Sequence, residues 1–181
     1  MPSPQSLSEA DRRLVAAWAA DCAERVLPLF EADAPADDRA RDAIDRSRAF
    51  ARGELTAAGE IRRRFVAGRA AHSATSAAGV AAARAAAQAA GVAHMGAHAL
   101  GAAAYAARAA RSAPADHGDA AAADEFAWQL AHMSPHVASA LRLLPPLGDD
   151  SAGPLGPGLL ASGDLGDHIR RIQAALRDTP S

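Results

Sequence analysis

The stretch "VAHMGAHALGAAAY", residues 92–105, decides how this chain is read. It lies inside a longer run, residues 80–110, that is mostly alanine. Alanine is the strongest helix former, so the run predicts one long helix or two helices meeting near Gly91. Arg84, Gln88, Gly91, His94 or Met95, His98, Gly101 and Tyr105 recur about every 3.5 residues, the period of a helix seam. Glycines along such a seam let a neighbouring helix come close. On one helix His94 and His98, four residues apart, would share a face.

The rest of the chain has the same character. Half of its 181 residues are apolar, most of those are alanine, and aromatics make up 4%. β-Branched residues are few, which argues against an extensive sheet. The expectation is an all-α fold: a single compact helical bundle or array of about six to seven helices with close Ala/Gly packing. The length suits one domain, or a domain plus an appendage.

A first helix is expected from Ser8, with Leu14, Trp18, Cys22, Val26 and Leu29 on its apolar face. Pro28 should kink or end it. A turn at Asp33 and Pro35 leads to a second helix from Asp37 or Asp38, with Gly53 as its stop. Thr56 can cap a third, whose inward face would carry Ile61, Phe65, Gly68 and His72. Residues 73–79 are a weak break. Residues 114–125 read as a loop, followed by a helix with Phe126, Trp128, Leu130 and Met133 as bulk. Trp128 and Gln129 read as a core anchor and its polar neighbour. Ser134 and Pro135 then open another helix. The domain is drawn over residues 7–144, a Pro/Gly-rich linker or loose loop over 145–163, and an amphipathic helix over 164–178. The stripe Leu165, Ile169, Ile172 and Leu176 must dock on the domain or on a second copy, which makes a homodimer one expectation.

The chain has no Lys and no Asn, which reads as codon bias of a GC-rich bacterial genome. A net charge of −2 gives no drive toward nucleic acid or an anionic membrane. The single cysteine forms no internal disulfide, and neither a signal core nor a membrane span is apparent. The expectation is a cytoplasmic protein.

Three groups of residues carry chemistry. His94 and His98 lack the further ligands a zinc site needs, and no CxxC or HExxH occurs, so no metal and no cofactor is expected. They are read instead as one wall of a polar pocket with Tyr105. "WAADCAER", residues 18–25, places Trp18, Asp21, Cys22, Glu24 and Arg25 together. Cys22 falls on the apolar face, a core position by default. An Asp21–Arg25 pair is the structural reading, and Asp21 with His94 and His98 as an acid–base set is the catalytic one. Asp38, Arg39 and Arg41 lie in a charge-dense helix that is either a solvated face or an anion pocket.

With these residues in view, the chain resembles the bacterial immunity-5-like (Imm-5-like) family of immunity proteins, common in actinobacteria. The resemblance rests on "WAADCAERVLPLFE" (residues 18–31), "DDRARDAID…FARGE" (37–54), "AHMGAHALGAAAYAARAA" (93–110) and Trp128 with Gln129. It covers residues 7–144. The family reads Arg-Pro-Arg where this chain has Arg39, Ala40 and Arg41, and often Trp in place of Phe50. The resemblance implies a small helical domain with a toxin protein as partner. It makes Trp18, Asp21, Cys22, Glu24, Asp38, Arg39, Arg41, His94, His98 and Trp128 the site candidates. Two functions follow: an immunity-like binding protein for a toxin or a small ligand, or a small helical enzyme of specialised metabolism built on Asp21, His94 and His98.

Overall fold

A computed structural model describes residues 3–114 and 117–178, the Arg64 side chain excepted. Among them are eight α-helices, two single 3-10 turns and no strand. The helices are α1 (Glu9–Asp33), α2 (Arg39–Ala51), α3 (Ala57–Ala70), α4 (Ala77–Gly91), α5 (His98–Ser112), α6 (Gly118–Ala131), α7 (Pro135–Arg142) and α8 (Gly163–Asp178). The all-α reading holds, and the count exceeds six to seven because the alanine run divides in two.

The division has a local cause. After Gly91 the amides of His94 and Met95 fold back onto the Gly91 carbonyl at 3.0 and 3.1 Å. The amides of Gly96 and Ala97 turn outward to the carbonyls of Ser6 and Gln5, both at 3.1 Å. Donors that would continue a helix are thus taken by the N-terminal segment. His94 and His98 therefore do not share a helix face: His94 is exposed in the corner, and His98 opens α5.

α4 packs most extensively on α5, and both pack on α1. Their contact surface is almost entirely alanine and glycine. Bulk comes from the periphery: Trp18, Leu27 and Phe30 on α1, Ile44 and Phe50 on α2, and Leu100 on α5 are all buried. Asp33 fastens the end of α1 to the start of α4. Its carboxylate accepts from the Thr75 and Ser76 amides and the Ser76 hydroxyl at 2.7–3.0 Å.

Several local expectations are corrected. α1 runs through Pro28, which faces solvent. The carbonyl that loses its amide partner can therefore be hydrated. Leu14 is exposed, and Val15 takes the inward place beside Trp18. α3 turns Glu60, Ala67 and Ala70 inward and leaves Phe65 61% exposed, because Arg46 of α2 draws Glu60 in. The loop before α6 is shorter than expected. The helix already begins at Gly118, and Ala115 and Asp116 lie outside the described residues.

The Pro/Gly-rich segment is tied down by buried amide side chains, Gln5 along its middle and Gln173 of α8 at its start, on Leu147 and Pro145. Gln5 is fully buried, donates from Nε2 to the Asp150 carbonyl at 2.9 Å, and accepts from the Leu155 amide at 2.8 Å. Leu147, Leu155 and Leu160 add apolar anchors. α8 then lays Leu165, Ile169, Ile172 and Leu176 against the domain, chiefly on α5. The stripe is covered within the chain.

Candidate functional site

α1 separates its chemistry by helical phase. Trp18, Cys22 and Val26 recur at four-residue intervals and point inward, while Asp21, Glu24 and Arg25 point out. The expected Asp21–Arg25 pair does not form. Asp21 is matched instead by Arg48 of α2, whose guanidinium spans both carboxylates: 2.7 Å to Asp21 and 2.5–2.7 Å to the two oxygens of Glu24. The bidentate grip holds the Glu24 carboxyl below its ordinary pKa. Farther along α1, Glu31 takes Arg41 at 2.6 Å.

Arg25 reaches the other way, to α6. Its Nε donates to Glu125 at 2.8 Å, and its guanidinium carbon lies 4.1 Å from the centroid of the Trp128 ring. The Trp128 ring also stacks on His132 at 4.1 Å, with 18° between the planes. Glu125 is buried, while Arg25 keeps 37% of its side chain in solvent. The outcome is one face in which paired charges of α1 and α2 adjoin a half-buried tryptophan clasped by an arginine and a histidine.

Beneath it runs a buried polar relay. The Trp18 indole donates to the Gln129 carbonyl at 3.0 Å. The Gln129 side chain is fully buried, donating from Nε2 to the Ala103 carbonyl at 3.0 Å and accepting from His168 Nε2 at 2.8 Å. Burial first, and the nearby arginines Arg171 and Arg111 second, push His168 down to about 4. The anchor and its polar neighbour are thus inverted: Gln129 is the core residue and Trp128 the half-exposed one. Ala122, Glu125 and Gln129 form the inward stripe of α6, and the stripe is largely polar.

The other candidates are scattered. Cys22 is fully buried, and desolvation, followed by the charges of Glu125 and Asp21, raises its thiol pKa well above the ordinary range. It stays a protonated thiol rather than a nucleophile. Asp38 is exposed at the start of α2. Arg39 is held by Asp37 and Ser73, and the cleft it borders with Glu60 and Arg63 encloses about 20 Å3, room for a water. His98 Nδ1 meets Gln88 Oε1 at 2.8 Å. Gly91 makes room for this pair, since a Cβ there would sit 2.9 Å from the imidazole carbons. Tyr105 is buried on α5, its ring 5.6 Å from the Arg108 guanidinium. Asp21 is thus paired with Arg48 and His98 with Gln88, while His94 is exposed in the corner before α5. Among the described residues, no cluster of three or more His, Cys, Asp or Glu side chains is arranged to hold a metal ion, and no helix is long and apolar enough to cross a membrane.

Sequence reading missed Gln5, Arg48, Glu125 and His168. Arg48 had a signal, since it stands at the spacing that returns to the Arg41 side of α2. Glu125 and His168 had none, because each is buried by a partner distant in the sequence.

No curated protein and no solved structure matches the chain. A family model does, over residues 5–136, and its description is "Imm-5 like putative immunity protein". The match takes in α1 to α6 and the start of α7, and with them every residue of the charged and aromatic face just described. Trp128 and the paired charges of α1 and α2 thus sit within its span, whereas the Pro/Gly segment and α8 lie beyond it. The chain belongs to the Imm-5-like immunity protein family.

Proposed function

We propose that the chain is an immunity-type binding protein. It neutralises a toxin protein by covering it with the outer face of α1, α2 and α6. One observation carries the reading: Trp128 is held half-exposed against Arg25 and His132, within a strip of fixed charges. Tryptophan and arginine are the residue types that most often dominate protein interfaces, and a preformed arrangement reduces the entropy lost on binding. Asp21, Glu24 and Arg48 supply a rim of alternating charge that orients a partner more than it tightens the complex.

The enzyme reading needs Asp21, His94 and His98 around one substrate. Their separate surroundings, and the protonated, enclosed Cys22, speak against it. The test is co-expression with the protein encoded by the adjacent gene. Growth rescue by the wild-type chain and by a His94→Ala, His98→Ala double variant, with loss of rescue in Trp128→Ala, is the expected pattern. Rescue that depends on the histidines and ignores Trp128 would reverse the assignment.

A further inference from the structure

On a different part of the surface, α4, α5 and the Pro/Gly segment enclose a two-lobed groove. One lobe, of about 340 Å3, is lined by Arg84, Gln88, Tyr105, Pro154, Pro157 and Leu159. The other, of about 430 Å3, shares Arg84, Tyr105 and Leu159 and adds Val80 and Arg108. Arg84 and Tyr105 therefore stand where the lobes join. Each lobe has the volume of a small-ligand pocket.

The polar groups in this groove are unbalanced. Arg84 and Gln88 are one turn apart on α4, so both side chains reach the same side. Among the described residues, the Arg84 guanidinium has no hydrogen-bond or ion-pair partner. Tyr105 is only 5% exposed, yet its hydroxyl has no hydrogen-bond partner among those residues either. The Gln88 amide oxygen is engaged by His98, leaving its NH2 group without an acceptor among them. Arg108 is neutralised by Asp164. No Asp or Glu among the described residues lines either lobe. A guanidinium, a phenol and an amide NH2 thus open onto one space that offers them no counter-charge. Arg84 is exposed and the three groups are open to water, so an anion entering the groove would exchange that water for charge-assisted hydrogen bonds. Beside them, Pro154, Pro157 and Leu159 form an apolar wall.

We infer that this groove binds a small organic anion, its carboxylate or phosphate taken by Arg84, Tyr105 and Gln88 and its apolar body lying on Pro154, Pro157 and Leu159. The wall residues lie beyond the family match, whereas Arg84, Gln88 and Tyr105 lie within it. The site does not depend on the toxin-binding face.

Tyr105 is the only tyrosine, so a 13Cζ-tyrosine label gives one resonance at the junction of the lobes. The full chain is titrated with benzoate, phenyl phosphate and the neutral benzyl alcohol. Benzoate or phenyl phosphate is expected to shift the resonance saturably with a Kd on the order of 1 mM or tighter. Whichever anion binds more tightly distinguishes a carboxylate ligand from a phosphate one. Arg84→Met and Arg84→Gln, exposed substitutions that leave the melting curve unchanged, are expected to weaken that binding about tenfold or more. No saturable shift with either anion, an equal response to benzyl alcohol, or unaltered binding in both Arg84 variants overturns the inference.

Discussion

Arg25 and Trp128 meet across the α1–α6 junction, the guanidinium 4.1 Å from the ring centroid while its Nε holds the buried Glu125 at 2.8 Å. One arginine thus neutralises a carboxylate below the surface and fixes an aromatic ring at it. Removing it with Arg25→Ala leaves Glu125 with only a long contact from Gln129 at 3.4 Å. The expected cost is about 1–3 kcal/mol in denaturant unfolding. In Arg25→Ala, Glu125→Gln the cost should be smaller than in the single variant, since no buried charge remains. A double variant less stable than Arg25→Ala contradicts this account.

Gln129 ties three elements together beneath that face. Gln129→Leu strands the Ala103 carbonyl and His168, and a loss of about 2–4 kcal/mol is expected, with the Trp18 bond to the backbone carbonyl retained. Chemical denaturation reads the loss, and indole Nε1–H exchange reads the retained bond. A neutral Gln129→Leu would mean that the relay is incidental.

His168 makes stability depend on pH in a defined window. Its folded value near 4 lies below the ordinary 6.5, so between the two the unfolded chain binds more protons than the folded one. Stability is full above about pH 6.5 and declines as pH falls toward 4, by on the order of 3 kcal/mol. In His168→Gln, which keeps an amide opposite Gln129, the fall over that window should shrink. Parallel pH profiles for the two proteins count against the buried neutral imidazole.

Cys22 should ignore thiol reagents. At pH 8 the native protein is expected to react with a disulfide reagent only as fast as it unfolds, because the thiol is enclosed and its pKa is raised. Rapid stoichiometric labelling without unfolding would place the thiol at the surface.

Gly91 tests the corner that splits the alanine run. Gly91→Ala pushes a methyl into the His98 ring and is expected to destabilise by about 1–3 kcal/mol, despite alanine's better helix propensity. Stabilisation would show that the ring moves aside freely.

The helices were legible in the sequence because alanine content and caps are local: Ser8, Thr56 and Ser134 each accept the amide three residues on, as their positions suggest. The split near Gly91 was legible only as an alternative, since what enforces it is the Gln5–Leu7 segment, some 90 residues away. A longer separation, 145 and 150 residues, hid the role of Gln5 in holding the Pro/Gly segment. Helical phase separated Cys22 from Asp21 and Glu24, but could not say that Asp21 would answer to Arg48 rather than Arg25. On α6 the rule that bulk lies inside failed, because Glu125 and Gln129 are satisfied by Arg25, His168 and the Ala103 carbonyl, and so can be buried.

The most direct measurement is the affinity of the purified chain for the protein encoded by the adjacent gene, wild type against Trp128→Ala, with melting curves recorded for both. Specific binding by the wild type is expected. In Trp128→Ala a loss of roughly 30-fold or more is expected, the effect of removing an interface anchor worth about 2 kcal/mol, with the fold retained. Equal affinity in the two proteins, or no binding by the wild type, would contradict the proposed function.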